Sequence, residues 1–173
     1  IDSHDRPQTE ALLKGLEQLP VRRLLRGGSA LSEFDIDAAL KRSPQLILLD
    51  DLAHTNADGC RHVKRYQDVQ ELLKAGIDVY TTVNVQHIES LNDKVASITG
   101  ISEQDRIPDS IFDQADQVEL VDIEPEELLE RRAGQEPPKQ HKPFPVFTVQ
   151  NLTALREIAL RRCADRMNLL TEH

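Results

Sequence analysis

The run Gln45-Leu46-Ile47-Leu48-Leu49-Asp50-Asp51 drives four apolar residues straight into two adjacent carboxylates. A run this short and apolar predicts a β-strand buried on both faces. Two acids at its C-terminal end are costly unless they meet a cation, a hydrogen-bond donor or water. In open α/β sheets, ligands bind beyond the carboxyl ends of the strands. Acids placed there can hold a water on Mg²⁺ (Asp50) and polarise an attacking water (Asp51), the arrangement called Walker B. The plainer alternative is a pair that caps the strand end and bonds the following loop; the motif alone leaves both open. The matching P-loop pattern, G-x-x-x-x-G-K-[ST], occurs nowhere in the 173 residues. The backbone N–H cradle and lysine that give most phosphate affinity are therefore not in this chain. Weak or undetectable ATP binding is expected of the chain by itself.

A second polar cluster ends the run Thr81-Thr82-Val83-Asn84-Val85-Gln86-His87. If this run is a strand beside the first, its end shares one rim with the acids. An amide at Asn84, with Gln86 and His87 behind it, could sense a γ-phosphate or hold a water. The other reading is an asparagine that caps the next helix. At the start of the chain, Ile1-Asp2-Ser3-His4 reads as the tail of a strand, which puts His4 and Arg6 on the same rim. Arg6 could meet phosphate there, or pair with an acid such as Glu10. His54, Cys60, His62 and His87 raise zinc, but Cys60 and His62 are too close for the usual ligand pairs and no second cysteine is near. Cys60, in a polar loop near two histidines, is expected to be exposed and somewhat reactive.

These residues need a scaffold, and the pattern supplies one. Asp5-Arg6-Pro7 opens a helix with an apolar stripe of Ala11, Leu12, Leu16 and Leu19, stopped by Pro20. Val21 to Leu25 reads as a strand with Gly27-Gly28 as its turn. A helix follows from Phe34-Asp35 to Ser43-Pro44, then the apolar strand over 45–49. The next helix covers roughly 62–75, with Tyr66, Val69, Leu72 and Leu73 on one face and Gly76 as its stop. Ile77 to Val83 is a β-branched strand, and the helix after it runs to about Ile98, closed by Gly100. Strand and helix thus alternate at spacings suited to βαβ crossovers, which predicts a doubly wound, mostly parallel α/β sheet. Ile107 to Ser110 reads as a turn, Gln117 to Ile123 as another strand, and Pro125 as the start of a helix. Residues 134–150, with four prolines, read as a strap. Asn151 is expected to cap an amphipathic helix with Leu152, Leu155, Ile158, Ala159, Cys163 and Met167 on its stripe. The expected organisation is 1–133 as an incomplete α/β domain, 134–150 as strap and 151–173 as a helix packing on or extending it.

The bulk numbers exclude some classes. With 21 basic against 30 acidic residues, the net charge of -9 argues against nucleic acid as a partner, since phosphates need a positive field. The arginine clusters at 22–26, 131–132 and 156–162 read as solvated faces. Two cysteines without a paired motif fit free thiols in a reducing compartment. No apolar run reaches the ~18 residues of a membrane span. The chain opens on Ile1 and is read as cut from a longer polypeptide.

Taken together and in order, His4–Glu10, Leu49–Asn56, Asp78–Asp93 and Asn151–Glu157 closely resemble the N-terminal cytoplasmic domain of the KdpD sensor histidine kinases. These bacterial kinases control a potassium-uptake operon. The resemblance implies a P-loop NTPase-like fold whose first strand, P-loop and helix would precede residue 1. It implies ATP and Mg²⁺ as cofactors, Asp50 as the magnesium-linked acid through water, and Asn84 and Arg6 on the phosphate side. The family's acid pair usually ends in Asp-Glu; here Asp51 is one methylene shorter, which puts hydrolysis by Asp51 in doubt. It also implies a regulatory role at the cytoplasmic face of the bacterial inner membrane. The partners would be the other domains of the same kinase and, through its transmitter, a response regulator. The membrane itself would be reached only through transmembrane segments outside this chain. The competing reading is a non-catalytic interaction module that docks on other kinase domains.

Overall fold

A computed structural model describes residues 7–26, 29–133 and 148–171. Ile1–His4 with Arg6, the Gly27-Gly28 turn and most of the strap lie outside them. The chain divides into two compact units, Ile1–Val83 and Asn84–His173. Seven α-helices and two two-stranded sheets occur among the described residues. No helix there is long and apolar enough to cross a membrane.

In the first unit, α1 (Pro7–Leu13) has no buried residue. It stops at Leu13 and not at Pro20, because Gly15 takes a left-handed φ of +88°. Leu12 and Leu16 of the expected stripe are exposed. The strand β1 (Arg22–Arg26) pairs antiparallel with β2 (Ser29–Glu33), which the sequence pattern did not announce. It therefore belongs to a separate hairpin and not to the parallel sheet. Helix α2 (Ile36–Arg42) forms where the sequence predicts a helix: Asp35 caps its start, its Oδ1 accepting from the Ala38 N–H at 3.0 Å, and Ser43 turns left-handed before Pro44 at its end.

The strand β3 (Leu46–Leu48) leads through α3 (Arg65–Lys74) to β4 (Asp78–Tyr80), parallel to it in the register Leu46↔Asp78, Ile47↔Val79, Leu48↔Tyr80. Backbone bonding continues past both strand ends, from Leu49 N–H to Tyr80 O and from Leu52 N–H to Thr82 O, each at 2.9 Å. This extension carries the register to Asp50 and Thr82. β3 is buried on one face only: Ile47 and Leu49 point into the core, whereas Leu46 and Leu48 are 43% and 41% exposed. Ile36, Ala39, Val69, Leu72 and Ile77 complete this core. Each fully buried aliphatic side chain contributes about 1.5–3 kcal/mol. Leu73, expected on the buried face of α3, is half exposed.

In the second unit, two 3₁₀ turns (Val85–His87 and Glu89–Leu91) replace the start of the expected helix, and α4 spans Asn92–Thr99. Gly100, at φ +70°, ends it as predicted. Ile88 bridges Ile107, α5 (Asp109–Asp113) follows, and α6 (Pro125–Ala133) packs on α7 (Val149–Thr171). The expected strand over 117–123 does not form: Val118, Leu120 and Val121 suit a strand, but the described residues of the unit offer it no partner, and Val121 is 85% exposed. α7 also departs from its expected stripe. Its cap is Thr148, whose Oγ1 accepts from the Asn151 N–H at 3.1 Å, so Asn151 is already helical. Arg162 and Arg166 are buried, while Met167 is 63% exposed. Arg162 is not a solvated residue. It stacks 4.5 Å from the Phe112 ring centroid and bonds Asp113 at 2.6 Å.

Candidate functional site

The two acids lie just beyond the end of β3, where the chain leaves the sheet. The Asp50 carboxylate turns back: its Oδ1 accepts from the Asp51 N–H at 3.0 Å and from the Thr82 hydroxyl. Thr82 Oγ1 also accepts from the Asp51 N–H, at 3.2 Å. The second oxygen, Oδ2, has no protein partner among the described residues, so it is open to a further ligand. Asp51 is exposed and adopts φ +58°, a left-handed conformation uncommon for a residue with a Cβ. Such strain persists where surrounding bonds over-determine it, and it clusters at functional sites. A cavity of about 240 Å³ opens beside Asp50, lined by Leu48, Leu49, Tyr80, Thr81 and Thr82. The open Asp50 oxygen is a ligand of the kind a hard cation such as Mg²⁺ takes.

Behind the acids is a buried polar network. Glu33, at the end of β2, accepts from Arg65 Nη2 at 3.2 Å and from the Ala57 N–H at 2.9 Å, and bonds His54 Nε2 at 3.1 Å. Asn56 Nδ2 donates to Asp68 Oδ2 at 2.7 Å. Burial raises the Asp68 carboxyl above its ordinary range, against the lowering effect of the Asn56 bond. The loop from His54 to Arg65 is closed by backbone bonds, Arg65 N–H to His54 O and Asn56 N–H to Val63 O.

Of the residues singled out in the sequence, Asp50 and Asp51 lie just past the carboxyl end of β3. Asn84 belongs to the second unit; it is exposed and holds the N-cap position of the first 3₁₀ turn, where its carbonyl accepts from the His87 N–H at 3.0 Å while its side chain makes no cap bond. Gln86 bonds Glu103 at 3.2 Å, and His87 Nδ1 bonds the Asp105 carbonyl at 2.7 Å. Arg6 and His4 lie outside the described residues. His54 and His62 each face a carboxylate, Glu33 and Glu71, and among the described residues no group of three or more His, Cys, Asp or Glu could hold a metal. The Cys60 thiol is not activated: burial, then the Glu33 charge, pushes its pKa up. Three residues went unrecognised. Thr82 could have been found by extending the parallel register by two residues from Leu48↔Tyr80. Glu33 and Arg65 carry no local signal, being 32 positions apart.

A family model described as "KdpD: Osmosensitive K+ channel His kinase sensor domain" matches residues 1–167. The chain belongs to this family of sensor domains. It is 54% identical over 178 residues to the Sensor protein KdpD of Clostridium acetobutylicum, covering 99% of this chain and 20% of that protein. It is 53% identical to the Sensor protein KdpD of Escherichia coli K12 (97% of this chain, 19% of that protein). Its identity to the Mycobacterium tuberculosis H37Rv Sensor protein KdpD is 49% (96% and 20%). The chain spans about a fifth of the length of these relatives.

Proposed function

We propose that this sensor domain is a regulatory, Mg²⁺-dependent ATP-binding domain of a potassium-responsive histidine kinase. Supporting this most directly is the turned-back Asp50 carboxylate beyond two parallel strands, with one oxygen held and the other open. In this reading the β3–α3–β4 crossover is part of a doubly wound, P-loop NTPase-like sheet. Asp50 would hold Mg²⁺ through water, and Thr82 would orient its carboxylate. Asp51 would face an attacking water, while Arg6 would attend the γ-phosphate. The metal would supply charge neutralisation on the phosphates. The domain would act at the cytoplasmic face of the bacterial inner membrane, passing nucleotide occupancy to the other domains of its kinase and through them to the response regulator.

The test is calorimetric titration of the full-length protein with ATP, with and without Mg²⁺. Asp50→Asn is expected to abolish the gain from Mg²⁺ and to leave metal-free affinity unchanged. Equal affinities with and without metal in both proteins would sink the Asp50 assignment.

A second reading has an observation of its own. In the second unit a groove of about 220 Å³ runs between the extended segment at Leu120–Ile123 and α7, lined by Leu128, Leu152 and Leu155. An apolar groove beside exposed Val121 fits a module that docks on other kinase domains. Retained ATP regulation of the full-length kinase after Leu120 and Leu155 are made polar would count against it.

A further inference from the structure

The peptide unit joining Asp50 to Asp51 is held at both of its edges. Its N–H donates to Asp50 Oδ1 at 3.0 Å and to Thr82 Oγ1 at 3.2 Å. Its carbonyl accepts from Arg65 Nη1 at 3.1 Å. The peptide is a rigid plane whose N–H and C=O point in opposite directions. Bonds on both edges therefore fix its rotation, and the left-handed φ of Asp51 depends on that rotation. The same rotation aims both side chains.

We infer that Arg65 is the positioning residue of the Asp50–Asp51 corner. Three nitrogens of its guanidinium reach three different segments: Nη1 to Asp50 O, Nη2 to Glu33 Oε2 and Nε to Asn56 Oδ1, the last two both at 3.2 Å. The side chain is about nine-tenths buried, and its Cζ lies 6.0 Å from the Phe34 ring centroid. The planar fork makes these bonds at once from one pose. A lysine, as a point charge on a flexible stem, can satisfy only part of them. Through this fork the ends of β2 and β3 and the loop share one cation, and the acid pair inherits its geometry from that cation. The inference rests on Asp50 being the magnesium-linked acid, and its test separates the two.

Arg65→Met and Arg65→Lys are compared in the full-length protein with Arg61→Ala, an exposed arginine of the same loop paired with Asp37 and Glu71. Two quantities are read: the HN–Hα coupling of Asp51 together with its intraresidue HN–Hα NOE, which is strong only at positive φ, and the gain in ATP affinity on adding Mg²⁺. Asp50–Asp51 is the one Asp–Asp dipeptide of this chain; joint ¹³C-carbonyl and ¹⁵N labelling of aspartate selects Asp–Asp peptides, and the signal that disappears in Asp50→Asn is the one at this corner. Arg65→Met is expected to lose the left-handed coupling and about 10–100-fold of the magnesium gain. Arg65→Lys recovers part of both, and Arg61→Ala changes neither. An unchanged coupling and unchanged gain in Arg65→Met overturn the inference, as does an equal loss in Arg61→Ala. Should Arg65→Met fail to fold, Arg65→Lys decides by the same readouts, and full retention of both overturns the inference. A wild-type protein without any magnesium gain, whose Asp51 still relaxes in Arg65→Met, upholds the positioning role and defeats the nucleotide reading.

Discussion

Replacing Glu33 by Gln removes one charge and almost no volume. Glu33 is 7% exposed and meets Arg65, His54 and the Ala57 N–H. In Glu33→Gln one carboxylate oxygen becomes an NH₂ group, which faces donors where an acceptor stood. The guanidinium of arginine is not deprotonated in proteins, so the Arg65 charge stays. Its nearest remaining carboxylate is Asp68, 3.9 Å away, whose ionised form burial already disfavours. Removing one member of a buried ion pair costs roughly 3–5 kcal/mol, because the other charge is left uncompensated. Arg65 keeps Asp50 O and Asn56 Oδ1 as acceptors, so the low end applies, about 3 kcal/mol. That is a large part of the ~5–15 kcal/mol that holds an ordinary domain. Urea unfolding followed by tyrosine fluorescence is the assay. Both tyrosines of this chain, Tyr66 and Tyr80, lie in the first unit, so the probes sit where the pair is. The double variant Glu33→Gln/Arg65→Met should lose less than the sum of the single losses. A loss under about 1 kcal/mol for Glu33→Gln, the level of an exposed pair, would refute the claim that the pair is buried and coupled.

Asp68 gives a prediction with the opposite sign. Burial raises its folded pKa above the ordinary 3.8. The stability it contributes is therefore full below the unfolded pKa and is lost as pH rises through the folded one. Asp68→Asn does not titrate, so it should match or exceed the wild type at pH 7–8 in urea melts, with the difference shrinking toward pH 4. Leu72→Ala, at a position with no exposure, should cost about 2–5 kcal/mol in the same assay. In the second unit, Arg156 bonds Asp122 through two nitrogens, both at 2.6 Å, and this holds the Asp122 carboxyl below its ordinary range. Arg156→Gln should return that carboxyl toward 3.8, read by an NMR pH titration. The contribution of Asp122 is present above its unfolded pKa and is lost as pH falls through the lower folded one.

Local chemistry was legible where a few neighbouring residues decide the outcome. Ser43 before Pro44, and Gly76 and Gly100 as helix stops, all act within one turn. The acid pair at a strand end was legible for the same reason, since an apolar run marks the strand that carries it. Pairing across distance was not. The stretch 117–123 has the apolar residues of a strand but finds no partner among the described residues, whereas Ser29–Glu33, with Leu31 its one large apolar residue, becomes a strand because β1 lies beside it. Arg162 and Arg166 read as surface residues until Phe112 and Asp113 come up against the first of them. Glu33 and Arg65 illustrate the same limit at the site. Nothing near either residue in sequence announces the other, yet together they hold the loop behind the acids.

The most direct measurement replaces Mg²⁺ with paramagnetic Mn²⁺ in the presence of a non-hydrolysable ATP analogue and maps which backbone amides broaden. Selective loss of the Asp50, Asp51 and Thr82 signals, dependent on nucleotide and absent in Asp50→Asn, is the predicted result. Broadening that spares these three amides, or that falls instead on the acidic segment from Glu119 to Glu127, would contradict a magnesium–nucleotide site at the end of β3.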